Sequence, residues 1–154
     1  MFFRYLEKEQ NKTLMKNFKT ILIVTLILDV LQYIPLIIAK TGGAMQEKMI
    51  SDLGIEGLAD SAAGLQVLDV MLYIFAFIMA GTIAAVIYSL TLKTLEGLKA
   101  ATFVLFIIHL FWTLPDFVTL LSGGSQHPPI IFMVLTLIPI IGLFYVSRNG
   151  ILKS

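Results

Sequence analysis

Polar and apolar residues along this chain separate into long blocks and do not alternate. After a polar, basic opening from Met1 to Lys19, apolar runs cover 20–39, 68–91, 100–121 and 129–146. At a rise of about 1.5 Å per residue each run reaches roughly 27 to 36 Å as a helix, enough to cross a hydrocarbon layer of about 30 Å. The pattern predicts an all-α membrane protein, a four-helix transmembrane bundle forming a single domain over 1–154. The spans take more than half of the chain and leave no room for a second, soluble domain.

The longest connection, 40–66, joins the first two runs. Within it Met45, Met49, Ile50 and Leu53 recur at helical spacing against Gln46, Glu47, Lys48 and Asp52. That spacing predicts a short amphipathic helix in the first outer loop, ending at Gly54. It reads as a segment resting on the bilayer surface or capping the bundle, with a mobile lid as the sharper alternative. Ser122 to Pro129, containing Gly123, Gly124, His127 and two prolines, reads as a tight turn. In the second span, Gly81 and Ala85 stand at the four-residue spacing that lets helices approach, flanked by Ala80 and Ala84. Contact within the chain is expected there ahead of dimerisation.

Composition agrees with the pattern. Hydrophobic residues make up 58% and charged residues 14%, with a mean hydropathy of +0.91, whereas a soluble domain is about half apolar and a quarter charged. The expected partner is the lipid bilayer, with a homo-oligomer or a membrane-protein partner left open; a net charge of +1 gives no argument for nucleic acid. The chain has no cysteine, which removes thiol redox chemistry, disulfides and thiolate metal sites and argues against the four-helix quinone-linked disulfide-forming enzymes. A cleavable signal peptide is not expected, because a polar segment with several acids precedes a first run too long for a signal core. Met15-Lys16-Asn17-Phe18-Lys19 reads as a translation start in its own right, so residues 1–14 are given no role in the core.

Basic residues divide unevenly between the two sides. Arg4, Lys8, Lys12, Lys16 and Lys19 precede the first span, Lys93 and Lys99 join spans two and three, and Arg148 and Lys153 follow the last. The other side carries only Lys40 and Lys48. The positive-inside rule therefore places both termini in the cytoplasm, and the expected location is the plasma (inner) membrane.

The spans contain three aspartates, Asp29, Asp69 and Asp116, with no Lys or Arg deep inside any span. A carboxylate in hydrocarbon must be protonated, partnered or facing water, which makes each a candidate functional group. Counting from the inner ends, Asp29 and His109 both stand about 13 Å up, while Asp116 stands about 24 Å up. Asp69 begins the descending second span, so the polar groups form two tiers, at the midplane and above it. Helical phase puts Thr102, His109, Trp112, Thr113 and Asp116 on one side of span three and Thr25, Asp29, Gln32 and Tyr33 on one side of span one. Gln66, Asp69 and Tyr73 do the same near the outer end of span two. Span four offers Thr136 and, beside it, Pro139, whose missing N–H frees a carbonyl.

The expected function is an outward-facing acidic cavity that binds a cation, a proton or a small polar ligand, for binding or for transport. Its candidate residues are Asp29, Gln32, Tyr33, Asp69, Tyr73, His109, Trp112 and Asp116. No cofactor motif occurs. No metal site is expected: His109 and Asp116 are about 10 Å apart along one helix, and paired Glu-x-x-His repeats are missing. Two rivals remain. One is a non-catalytic subunit or assembly factor whose acids pair with a partner; the other is an intramembrane enzyme using Asp29 and His109 as a base pair.

Overall fold

The computed structural model describes residues 2–124 and 128–149, with side chains from 14 to 148 within that range. His127 and Lys153 lie outside the described residues, as do the side chains of Arg4, Lys8 and Lys12. Among the described residues five helices follow one another: α1 (Phe2–Lys40), α2 (Ala44–Leu53), α3 (Ala62–Thr91), α4 (Leu95–Leu121) and α5 (Ile130–Asn149). Four are long and apolar enough to cross a membrane, over Leu14–Lys40, Ala62–Thr91, Leu95–Leu121 and Ile130–Arg148. The molecule is an all-α membrane bundle.

Helix boundaries follow local chemistry. Met1 to Lys19 contains no Gly or Pro and many good helix formers, so the basic opening continues into the first span as one 39-residue helix. Ser61 and Thr94 cap α3 and α4, each hydroxyl accepting from the backbone N–H three residues on, at 3.0 and 3.2 Å. Those caps set the starts at Ala62 and Leu95, several residues ahead of where hydropathy alone rises. The amphipathic helix α2 stops at Gly54, whose left-handed φ of 61° suits glycine. Pro35, Pro115 and Pro139 all lie inside helices that run through them, each leaving the carbonyl four residues earlier without its helical donor.

Around the bundle the order is α1, α3, α4, α5, each neighbour antiparallel to the next. The most extensive interfaces are α4 with α5 and α1 with α3, followed by α1 with α5; α3 against α4 is the thinnest seam. Across the centre, α1 also touches α4, whereas the α3 and α5 backbones stay apart. The tightest packing is at the end away from α2, where Phe18, Leu22, Val86, Leu98, Leu105, Leu143 and Val146 form a buried apolar cluster. Outward faces carry large exposed apolar groups such as Phe77, Phe111 and Leu121, as lipid contact requires.

One expectation about packing changes. A Cβ at Gly81 would meet nothing within 4 Å, so this glycine faces outward, and only Ala85 of that pair leans on the core. The close approach is made by Gly142 on α5, where an added Cβ would lie 3.1 and 3.2 Å from Ile21 side-chain carbons on α1. Helical phase explains the difference: Ala76, Met79 and Val86 define the buried side of α3, and Gly81 sits away from it.

Gly142→Leu is therefore expected to lower stability by about 1–3 kcal/mol through overpacking. Gly81→Leu should stay within about 0.5 kcal/mol of the parent. Thermal unfolding of the two variants in the same detergent measures both; an equal loss in each would contradict the assignment of the tight seam.

Candidate functional site

Asp29 and His109 meet where α1 crosses α4. Asp29 is 3% exposed and His109 9%, and His109 Nε2 lies 3.0 and 3.3 Å from the two carboxylate oxygens. The other ring nitrogen, Nδ1, lies 2.7 Å from the backbone carbonyl of Leu105, one turn earlier on α4. A carbonyl only accepts, so Nδ1 carries a hydrogen and donates it. Nε2 faces a carboxyl group, and that contact also needs one hydrogen between the two partners. The pair thus holds a single shared proton beyond the Nδ1 hydrogen. Whether it is written as imidazolium with carboxylate or as imidazole with carboxylic acid, the unit is electrically neutral, which suits a site surrounded by helices and lipid.

Next to the pair is a small cavity of about 20 Å³, room for about one water-sized occupant. All four long helices line it: Asp29 and Gln32 from α1, Met79 and Thr82 from α3, Ile108, His109, Trp112 and Thr113 from α4, Thr136 and Pro139 from α5. Trp112 packs edge-on against Phe75 of α3, with ring centroids 5.6 Å apart. Toward the end without α2 the site is closed by the apolar cluster containing Leu22, Val86, Leu105 and Leu143. Thr25, one turn below Asp29, is fully buried and its hydroxyl has no hydrogen-bond partner among the described residues.

Of the eight candidate residues read from the sequence, four line this cavity: Asp29, Gln32, His109 and Trp112. Tyr33, Asp69, Tyr73 and Asp116 do not. Asp116 is half-buried seven residues beyond His109 on the same helix. Asp69 sits nearer the α2 end with its side chain 49% exposed, 4.0 Å from the ammonium of Lys40, which lies over the ring of Tyr73. The acids are therefore not all without a basic neighbour: Lys40 ends α1, and its four-carbon stem lets the ammonium fold against α3. Among the described residues no three His, Asp or Glu side chains gather into a set able to hold a metal ion.

Three lining residues were missed from the sequence: Met79, Thr82 and Ile108. Thr82 had a readable signal, being the hydroxyl nearest the midpoint of its span. Met79 and Ile108 had none, because an apolar side chain beside a pocket looks like any other in a membrane helix.

Fold and site together define a polytopic integral membrane protein with a buried carboxylate–imidazole pair at the centre of a four-helix bundle. No protein-family model matches the chain, and neither a curated protein nor a solved structure matches it.

Removing one member of a buried pair leaves the other uncompensated, so Asp29→Leu and His109→Leu are each expected to cost about 3–5 kcal/mol. The double variant should lose clearly less than the sum. By contrast Asp69→Asn should change stability by no more than about 1 kcal/mol, since its ion pair is long and half exposed. A set of denaturation curves in detergent measures all four; additive losses in the double variant would show that the pair is not energetically coupled.

Proposed function

We propose that this small polytopic membrane protein has a polar cavity, open toward the outer side, that binds a proton, a cation or a small polar ligand at Asp29 and His109. The observation that carries the reading is that both ring nitrogens of His109 face acceptors. Such a pair keeps one exchangeable proton in a membrane interior, and because its loss leaves one negative charge behind, the proton is released when a cation takes its place. Gln32 and Trp112 border the same space and are proposed ligand contacts.

Two further features support the reading. The apolar cluster seals one end of the bundle, while Asp69, Asp116 and Tyr73 lie toward the other, which the distribution of Lys and Arg makes the outer side. Lys40 offsets the charge of Asp69 there, but Glu47, Asp52, Glu56 and Asp60 on the same side outnumber Lys48, a balance that favours cations and protons over anions. Tyr33 is proposed to border the approach from α1.

Thermal stability of the parent, Asp29→Asn and Asp116→Asn, measured across pH and a panel of small cations and polar molecules, tests the proposal. Binding at the pair predicts that at least one ligand or pH step stabilises the parent and Asp116→Asn but not Asp29→Asn. If Asp29→Asn is merely less stable, with the same response to pH and ligands as the parent, the pair is a structural tie and the binding reading fails.

A further inference from the structure

Resting on the reading of Asp29 and His109 as a binding centre, the inventory of hydrogen-bonding groups around the cavity narrows what it can hold. The Thr82 hydroxyl donates to the Ile78 carbonyl at 3.0 Å, and the Thr136 hydroxyl donates to the Met133 carbonyl at 2.7 Å. Each has spent its only hydrogen on its own helix and keeps lone pairs to offer. Asp29 adds carboxylate lone pairs. Apart from the hydrogen shared with His109, the amide of Gln32, the indole N–H of Trp112 and the hydroxyl of Thr113, these groups accept; a guest that brings donors meets Asp29, Thr82 and Thr136.

Size and access narrow it further. The space of about 20 Å³ admits a group about as large as water. Its lining includes Ile108 and Trp112, each 37% exposed, on the side of α4 that meets α3 through Phe75. That α3–α4 seam is the thinnest between neighbouring helices, which makes it the side on which a guest can come to the cavity from the bilayer, past apolar and aromatic groups, beside the approach from the outer side. A tail can lie there in lipid while a small head reaches the pair, and the Trp112 ring at the mouth attracts a cation.

Charge decides the rest. Of the residues lining the cavity only Asp29 and His109 have ionisable side chains; α3 contributes Met79 and Thr82, and α5 contributes Thr136 and Pro139. Asp116 on α4 lies seven residues beyond His109, and Glu96 lies in the first turn of the same helix; neither lines it. A cation added to a neutral pair would leave a net charge in low dielectric, at high cost. If the shared proton departs, the site stays neutral. Leu105 fixes which proton that is: Nδ1 keeps its hydrogen for the carbonyl, and Nε2 gives up the other and becomes an acceptor.

We infer that the cavity is a site for a primary ammonium head group on an apolar tail, reached between α3 and α4, whose binding replaces the proton shared by Asp29 and His109. In the exchange, one aqueous ammonium ion enters and one proton passes to bulk water. The bound state holds ammonium, carboxylate and neutral imidazole, with the three N–H groups meeting Asp29, His109 Nε2 and a threonine oxygen.

The test uses the full chain in lipid nanodiscs with ¹⁵N-labelled histidine, titrated with hexylammonium chloride in weak buffer containing a pH indicator. Hexanol, which carries no charge, and tetramethylammonium, which has no N–H, serve as comparisons. The expected result is a saturable shift of the His109 Nε2 signal to the unprotonated form with hexylammonium alone. About one proton should be released per amine bound, and neither change should occur in Asp29→Asn. Thr82→Val and Thr136→Val keep the pair and are expected to weaken hexylammonium binding by about tenfold in at least one of them. An equal response to hexanol or tetramethylammonium, amine binding without proton release, or full affinity in both threonine variants would overturn the inference. If hexylammonium has no effect while the Nε2 signal still responds to pH, the ammonium site is wrong and the proton site stands. If the signal responds to neither, both fall together.

Discussion

An acid and an imidazole lie in the middle of a structure that lipid surrounds, and the rest of the bundle follows from keeping them together. Across a hydrocarbon layer the two groups are cut off from bulk water, so the pair is most stable neutral as a unit and with every hydrogen it carries on an acceptor. The structure meets both conditions with three groups from two helices: Asp29 on α1, His109 on α4 and the Leu105 carbonyl beneath the ring. This explains why α1 and α4, which lie diagonally across the bundle, approach each other while α3 and α5 do not. Closing one diagonal opens the other, and the cavity occupies the space beside the closed one.

Packing is graded along the bundle for the same reason. Away from α2, Phe18, Leu22, Leu98, Leu105 and Leu143 fill the centre with apolar side chains, and Gly142 brings α5 down onto Ile21. Helix association in lipid relies on such close contacts, because burial from water contributes little between spans. At the level of Asp29 the polar pair takes over as the central contact, and the space beside it is large enough for one small guest. The result is a bundle closed at one end, with the buried Asp29–His109 pair at the base of the looser half.

Much of this was legible in the sequence because the bilayer imposes two strong periodicities: span length, and one polar side per helix. Rise per residue alone placed Asp29 and His109 at one depth, and phase placed them both inward; those two constraints are enough to bring them within reach. The amphipathic spacing of Met45, Met49, Ile50 and Leu53 likewise marked α2, with Gly54 at its end. What could not be read was rotation between neighbours. Gly81 carries the spacing of a helix contact yet faces outward, while Gly142, with no such pattern, makes the contact. Nor could depth tell that Asp69 would lean toward Lys40 and Tyr73 at the α2 end, because a long lysine at a helix end reaches in directions that periodicity does not encode. Asp69 and Asp116 shared a height with each other, but not a place in the cavity wall.

The central claim is the contact itself: a carboxyl and an imidazole in direct hydrogen bond, with Nδ1 protonated toward Leu105. Solid-state NMR on protein in lipid bilayers, with ¹³C in the Asp29 carboxyl and ¹⁵N in the His109 ring, measures it through the dipolar coupling between the two labels. The account predicts strong coupling of the carboxyl carbon to Nε2, weaker coupling to Nδ1, and a directly bonded hydrogen on Nδ1. Absence of coupling to Nε2, or an Nδ1 without its hydrogen, would contradict it.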